Sequence, residues 1–202
     1  MRANALRARP RRRALPAVTG ERSLPALAPN VLDRQFTATA PNQKWAADST
    51  YIWTHEGWLY VAAVLDLLWR RVVGWSMDAS ITAQLATAAL TMAVWRRGDP
   101  QALLHHSDRG SQCTSEAFQR LLHELGTHCG MSRSGNVRDN SDVASFFSSL
   151  KTERTARKTH LTRNHARADM FDRIERGSNP FRRHSTLGNV SPVDFERMAA
   201  VA

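Results

Sequence analysis

The chain reads Ala-Leu-Leu-His-His-Ser-Asp-Arg-Gly-Ser-Gln-Cys from Ala102 to Cys113, and this stretch decides the fold. Ala102 to His105 suit a short buried strand, which then stops at a carboxylate, a glycine and small polar residues. Asp108 is therefore predicted at the carboxyl end of a strand, where open α/β sheets bind their ligands. The same Ser-Asp-x-Gly pattern is also typical of a turn before a helix that begins near Ser115, so the neighbouring sequence must decide.

Three more strands are predicted upstream of this stretch. Residues 44–53 alternate in a β-rich run, and His55-Glu56-Gly57 indicates a hairpin turn into residues 58–67. A third antiparallel strand is predicted over residues 72–77. Together they indicate a sheet that begins as a meander.

Helical spacing dominates most of the remaining chain. It predicts helices over residues 81–97, 115–125, 141–158 and 162–176, the last stopped by Gly177, with a fifth strand over residues 127–132. The order predicts an α/β fold with a mixed five-stranded sheet flanked by helices. We expect a basic extended arm over residues 1–43, a core over residues 44–160 and a helical extension over residues 161–202.

Length and composition exclude several classes of protein. The 202 residues suit one domain with appendages. No apolar run approaches the roughly 18 residues of a membrane helix, since Asp66 interrupts the longest, and no secretory signal is evident. Two cysteines, Cys113 and Cys129, do not suggest a disulfide framework. We therefore expect a cytoplasmic protein without a membrane partner.

Charge is concentrated at two flanks of a nearly neutral body. Residues 1–13 carry six Arg and no acid, residues 14–150 carry 11 basic and 12 acidic groups, and residues 151–183 carry ten against four. This distribution favours DNA as a partner, although a solvated helix surface beside an arm would give the same counts. The predicted DNA-binding residues are Arg9, Arg11, Arg12, Arg13, Lys151, Arg154, Arg157, Lys158, Arg182 and Arg183.

Asp48, in the middle of the first strand, is the second carboxylate of interest. If the first and fourth strands are neighbours, Asp48 and Asp108 meet, and their repulsion favours a cation between them. Carboxylate oxygens select Mg²⁺ or Mn²⁺, ions that can activate a nucleophile for phosphodiester transfer. A zinc site built from the histidines and cysteines is the competing hypothesis, but their spacing is irregular.

Eight motifs in order resemble the second-frame transposases of bacterial insertion sequences, which have a retroviral-integrase-like core. They are residues 30–36, 42–52, 57–60, 71–77, 105–112, 131–136, 145–151 and 182–188. The resemblance implies a ribonuclease H-like fold, metal-dependent DNA cleavage and joining, and a catalytic triad of two aspartates and a glutamate. Asp48 and Asp108 match the two aspartates.

The third acid of that triad is absent from this sequence. The family glutamate follows the second aspartate after 35 residues and precedes Ser-Phe-Phe, which is the position of Ala144. On a helix, Asp142 points about 160° and Glu153 about 180° away from this position, so neither replaces it. We therefore expect weakened metal binding and loss of strand transfer.

Other departures suggest a truncated, decaying copy. Cys113, Arg138, Arg173 and Asn189 stand where the family usually has tyrosine, and the family carries a DNA-binding helical region ahead of the core. The expected partners are insertion-sequence ends and target DNA, with a homo-oligomer or a full-length transposase as further possibilities. The alternative function is a non-catalytic remnant that binds DNA or oligomerises. Most of the tryptophans are expected in the core rather than stacked on bases.

Overall fold

A five-stranded sheet forms the centre of the computed structural model, which describes residues 28–98, 100, 103–108, 112–133, 137–155 and 158–201. Its strands are β1 Lys44–Thr54, β2 Gly57–Asp66, β3 Val72–Asp78, β4 Leu104–Ser107 and β5 His128–Met131. They lie in the order β3, β2, β1, β4, β5, with antiparallel pairing from β1 to β3 and parallel pairing from β1 through β4 to β5. The predicted mixed five-stranded sheet is confirmed.

Six α-helices within the described residues surround this sheet. They are α1 Ala83–Arg97, α2 Glu116–Glu124, α3 Ser141–Leu150, α4 Arg163–Phe171, α5 Asn179–Phe181 and α6 Pro192–Val201. A 3-10 turn over Val137–Asn140 leads into α3, and π-helical turns over Lys151–Thr155 and Asp172–Ser178 extend α3 and α4.

The two faces of the sheet build separate halves of the core. Because side chains alternate along a strand, Ala46 and Ile52 of β1 pack on the face covered by Val143 and Met170, from α3 and α4. Trp45 lies on the other face, under α1 and α2. Asp48 shares the parity of Ala46 and Ile52 and therefore lies on the α3 face.

β4 begins later than the sequence predicted. It spans Leu104–Ser107 instead of residues 102–105, so His105 and His106 lie within the strand. His106 Nε2 lies 3.0 Å from Ser132 Oγ, which gives this buried ring a polar partner. Burial lowers the pKa of His105 to about 4, so the His105 ring is neutral. Asp108 directly follows the strand, as predicted.

Gly177 does not end the fourth helix. The helix continues through its π-helical turns to Phe181, and the amide of Arg182 donates to the Gly177 carbonyl at 3.0 Å. A glycine inside a helix costs only about 1 kcal/mol, which contacts elsewhere can offset. α3 is also shorter than predicted, since its α-helical part ends at Leu150.

The segments beside the core pack against it where they are described. Leu32 is buried in the same cluster as Met170 and Ile174 of the C-terminal part. The amide of Met131 in β5 donates to the Pro29 carbonyl at 3.2 Å. The division at residues 43 and 160 stays a prediction.

Helices long and apolar enough to cross a bilayer are absent from the described part of the chain.

Candidate active site

The parallel pairing of β1 with β4 brings the two predicted aspartates together. Trp45 pairs with His105 and Ala46 with His106. Continuing this register by two residues sets Asp108 opposite Asp48. β4 has ended at Ser107, so Asp108 occupies the exposed carboxyl end of the strand, whereas Asp48 is partly buried within β1.

Asp48 has an electrostatic environment that disfavours its ionised form. Burial, and then the neighbouring charge of Asp108, raise its pKa from 3.8 to about 7. The Ser49 amide donates to Asp48 Oδ1 at 2.7 Å, and this bond together with the Lys151 charge lowers the pKa in part. The Ser49 amide and Lys151 thus offset only part of the cost of a negative charge on Asp48 beside Asp108.

α3 is fixed to β1 on both sides of Ala144. At its start, Asn140 Nδ2 donates to the Ala47 carbonyl at 2.9 Å. At its end, Lys151 Nζ lies 4.5 Å from the centre of the Tyr51 ring and acts electrostatically on Asp48. Ala144 lies on α3 between these two attachments, four residues after Asn140 and seven before Lys151.

Neighbouring acids on this helix are engaged elsewhere. Asp142 forms an ion pair with Arg70, and Glu153 forms ion pairs with Arg173 and, at 2.5 Å, with Arg182. Both carboxylates therefore lie off the face that bears Ala144, in agreement with the helical angles.

Asp139 orients the start of α3, a role that sequence reasoning missed. Its fully buried carboxylate accepts hydrogen bonds from Arg133 Nε at 2.9 Å, Arg34 Nε at 3.1 Å and Asn30 Nδ2 at 2.9 Å. The hydrogen bonds from Arg133 hold its pKa well below the usual range. Because Asn30 and Arg34 come from a segment more than 100 residues earlier in the chain, no local pattern could have revealed this cluster.

A largely apolar layer lies behind the two aspartates. The His105 ring packs edge-on against Phe118, with ring centres 5.5 Å apart, and Cys113 is buried beside them. Burial, and the charge of Asp108, raise the pKa of the Cys113 thiol to about 12, so the thiol stays protonated. This layer limits water at one side of Asp48.

The donor set for a metal consists of two carboxylates. Hard oxygen donors suit Mg²⁺ or Mn²⁺. A cation between the two carboxylates would lower the raised pKa of Asp48 and so favour its ionised form. Across the described residues, no group of three or more His, Cys, Asp and Glu side chains is arranged to hold a metal ion. The residues present therefore fit a divalent cation with fewer protein ligands than an acidic triad offers.

The predicted DNA-binding residues are only partly described. Arg9, Arg11, Arg12, Arg13 and Arg157 lie outside the described residues, as does the side chain of Arg154.

Four of these residues have described side chains, and they lie in different surroundings. Lys151 lies beside Asp48, whereas Lys158 forms an ion pair with Asp169 at 3.0 Å. Arg182 donates to Glu153 and, at 3.1 Å, to Ser149 Oγ, while Arg183 is exposed. Of these four, Lys151 is the residue whose charge acts on Asp48.

Exposed aromatic side chains beyond Asp48 were not expected. Tyr51 and Trp53 are each 53% exposed and Trp58 is 41% exposed. Of the six tryptophans, most of which were expected in the core, Trp45 and Trp69 are buried and Trp75 packs partly buried against the core. Trp53, Trp58 and Trp95 are exposed, so the prediction holds for only half of them.

Comparison with known proteins places the chain in a class defined by this fold. Two family models, each described as an integrase core domain, match residues 38–137 and 144–199. The HTLV-2 integrase catalytic core, solved with magnesium, covers 79% of this chain and 97% of its own, with a TM-score of 0.51 at 16% identity. The BIV integrase core covers 79% and 96%, with a TM-score of 0.54 at 15% identity. The chain has an integrase-type catalytic core fold.

More similar sequences identify the family. Transposase InsF for insertion sequence IS3A of Escherichia coli K12 is 44% identical over 196 residues, which are 97% of this chain and 68% of InsF. The 31 kDa protein of insertion element IS600 from Shigella sonnei is 39% identical over 190 residues, or 94% and 70%. The chain belongs to the IS3-type insertion-sequence transposases, of which InsF is a member.

Proposed function

We propose that Asp48 and Asp108 form the metal-binding pair of a DNA-transposition site in which Ala144 occupies the place of a missing third carboxylate. The observation that carries this proposal is the attachment of α3 to β1 on both sides of Ala144, through Asn140 to Ala47 and through Lys151 to Tyr51. A glutamate at position 144 would extend from this face towards Asp48.

The side chains of this pair have distinct roles. Burial and the Asp108 charge raise the pKa of Asp48 to about 7, so Asp48 holds a proton more tightly than an ordinary carboxyl and would release it to a cation bound between the pair. Asp108, at the exposed end of β4, faces the incoming DNA. Lys151 supplies a positive charge beside Asp48, which suits a phosphate at the same place. A bound Mg²⁺ or Mn²⁺ would supply activation of a water or 3′-hydroxyl and stabilisation of the leaving oxygen.

Loss of the third carboxylate weakens the site without removing the fold. A methyl group offers no ligand atom, and Asp142 and Glu153 are held by arginines off this face. We infer that this chain binds a single divalent ion weakly and does not join DNA strands. Its basic flanks retain salt-sensitive binding to DNA phosphates.

Mn²⁺ binding to an Ala144→Glu variant tests the proposal. The added carboxylate should increase Mn²⁺ affinity at neutral pH by at least about tenfold, measured by calorimetry, because it adds both charge and ligand oxygens. Ser145→Glu is the matched control: it adds the same charge one residue along, about 100° around the helix, at an exposed position. Equal Mn²⁺ affinity for the two variants would contradict the proposal.

A second candidate function is a non-catalytic partner of an active transposase. It is favoured by two observations on the described residues: the five-stranded sheet is complete, and no group of three or more His, Cys, Asp and Glu side chains is arranged to hold a metal ion. A chain of this kind should lower strand transfer by a full-length InsF-type transposase when mixed with it. Unchanged strand transfer at excess of this chain would count against it.

A further inference from the structure

An aromatic patch lies at the hairpin end of the sheet, formed by Tyr51, Trp53 and Trp58. Trp53 and Trp58 are paired across β1 and β2, and their ring centres are 4.7 Å apart in an edge-to-face arrangement. Tyr51 contacts the same Trp58 ring, with centres 4.9 Å apart. All three side chains are at least 41% exposed.

The patch is the uncovered continuation of a core face. Trp45 and Ala47 share its face of β1 and pack under α1 and α2, whereas the patch lies beyond the area that these helices cover. Three large aromatic rings in mutual contact with this exposure are uncommon on a soluble domain and indicate a binding surface. The edge-to-face contacts still leave part of each ring exposed for an occupant.

Its position relates the patch to the two aspartates. Tyr51 lies three residues after Asp48 on β1, about 10 Å along the strand at roughly 3.3 Å per residue, and its side chain lies on the opposite face of the sheet. Stacked bases are separated by about 3.4 Å, so a strand that passes around this edge would place the patch a few nucleotides from a phosphate at Asp48. Within the described residues, β1 pairs with β4 only up to Ala46. Beyond it, Asn140 Nδ2 donates to the Ala47 carbonyl and Thr54 forms a β-bridge with His160, so residues 48–53 are the part of this edge around which a strand would pass to reach the patch.

Cationic side chains border the patch on both sides. Lys151 lies over the Tyr51 ring and also acts on Asp48, so its charge spans the interval between the two. Arg163 donates to the Trp58 carbonyl at 3.1 Å at the hairpin end. Aromatic rings flanked by cations complement a nucleic-acid strand, whose bases stack while its phosphates meet the charges.

We propose, on the basis of the metal-pair function of Asp48 and Asp108, that the aromatic patch stacks unpaired bases of the DNA strand whose phosphate lies at Asp48. The occupant is single-stranded DNA a few nucleotides from the reacting phosphate. Stacking tolerates any base, so the patch contributes affinity for a frayed end and no sequence preference. It holds the end open at the place where cleavage would occur.

Binding of labelled oligothymidine, and of a blunt duplex of the same length, tests this inference by fluorescence anisotropy in EDTA. Trp53→Ala and Trp58→Ala should each weaken single-strand binding by about 5- to 150-fold, the range for loss of one stacked base. Duplex binding should change by less than about twofold. Trp95→Ala is the matched control, because Trp95 is 87% exposed on α1, away from the patch, and should change neither affinity.

Substitution by phenylalanine and by leucine separates stacking from folding and from apolar contact. Trp58→Phe keeps a ring and should retain most of the single-strand affinity, whereas Trp58→Leu keeps apolar area and should not. Parent-like single-strand binding by Trp53→Ala and Trp58→Ala would overturn the inference. Equal losses for single strand and duplex, or a change only in sedimentation of the chain, would also overturn it, the latter indicating contact between copies.

Omitting the metal separates this test from that of the metal pair. If the Trp53→Ala and Trp58→Ala variants bind oligothymidine like the parent while Ala144→Glu gains Mn²⁺ affinity, the stacking proposal alone is rejected. If the Trp variants lose oligothymidine affinity while Ala144→Glu gains no Mn²⁺ affinity, the metal pair alone is rejected.

Discussion

Replacement of Asp48 by asparagine should stabilise the fold at alkaline pH and have little effect at acid pH. Asparagine keeps the acceptor oxygen that binds the Ser49 amide at 2.7 Å but cannot ionise. Any gain therefore reports the free energy that the buried negative charge costs the parent chain.

The magnitude of this gain follows from the pKa of Asp48. Folding raises this pKa from 3.8 to about 7, chiefly through burial and then through Asp108. Each tenfold change in proton affinity corresponds to about 1.4 kcal/mol, so the ionised carboxylate destabilises the folded chain by at most about 4 kcal/mol. The folded state holds the proton more tightly than the unfolded state, so parent stability falls as pH rises from about 4 to about 7 and then levels off.

Urea unfolding in EDTA at about pH 4 and about pH 8 measures the effect. The free energies of unfolding of parent and Asp48→Asn should nearly coincide at the lower pH and differ by roughly 2 to 4 kcal/mol at the higher pH. Asp78→Asn, at an exposed position at the end of β3, should show no such pH-dependent gain. A difference between parent and Asp48→Asn that is the same at both pH values would refute the reasoning.

Two further predictions concern the arm and the packing of α1. Removal of residues 1–13, which contain six Arg, should flatten the slope of log DNA affinity against log salt by up to about 5, at about 0.9 per phosphate contact; an unchanged slope would mean that the arm makes no phosphate contacts. Gly74→Ala should destabilise the fold by about 3 kcal/mol or more in urea unfolding, because its methyl group would lie 2.2 Å from the Ala89 carbonyl oxygen of α1. Gly177→Ala, whose methyl group would meet only ordinary or slightly tight contacts, should be tolerated.

The strands of the meander were predictable because their alternation is long and apolar. β1 to β3 begin and end within a few residues of their predicted bounds, and the strand order places β1 beside β4 as the metal hypothesis required. β4 was misplaced by two residues because two histidines and a serine fill it. Their burial depends on partners such as Ser132, which lies beyond β5 in sequence.

The surroundings of the two aspartates depend on contacts between distant segments. Ala144 was found through resemblance to the family, since an alanine has no chemistry of its own to identify it. Leu32 lies in a segment rich in Pro and Arg, and its burial in the core has no periodic signal. The exposure of Trp53 and Trp58 was equally unpredictable, because alternation assigns their face but not the extent to which α1 and α2 cover it.

Coupling between positions 144 and 48 in Mn²⁺ binding is the most direct test of the metal site. Calorimetry on the parent, Ala144→Glu, Asp48→Asn and the double variant, all shown to be folded by circular dichroism, gives the coupling free energy. If both side chains bind one ion, Ala144→Glu should raise Mn²⁺ affinity by at least about tenfold in the parent background and by much less with Asp48→Asn. The same gain in both backgrounds would place position 144 away from the ion that Asp48 binds and would contradict the proposed site.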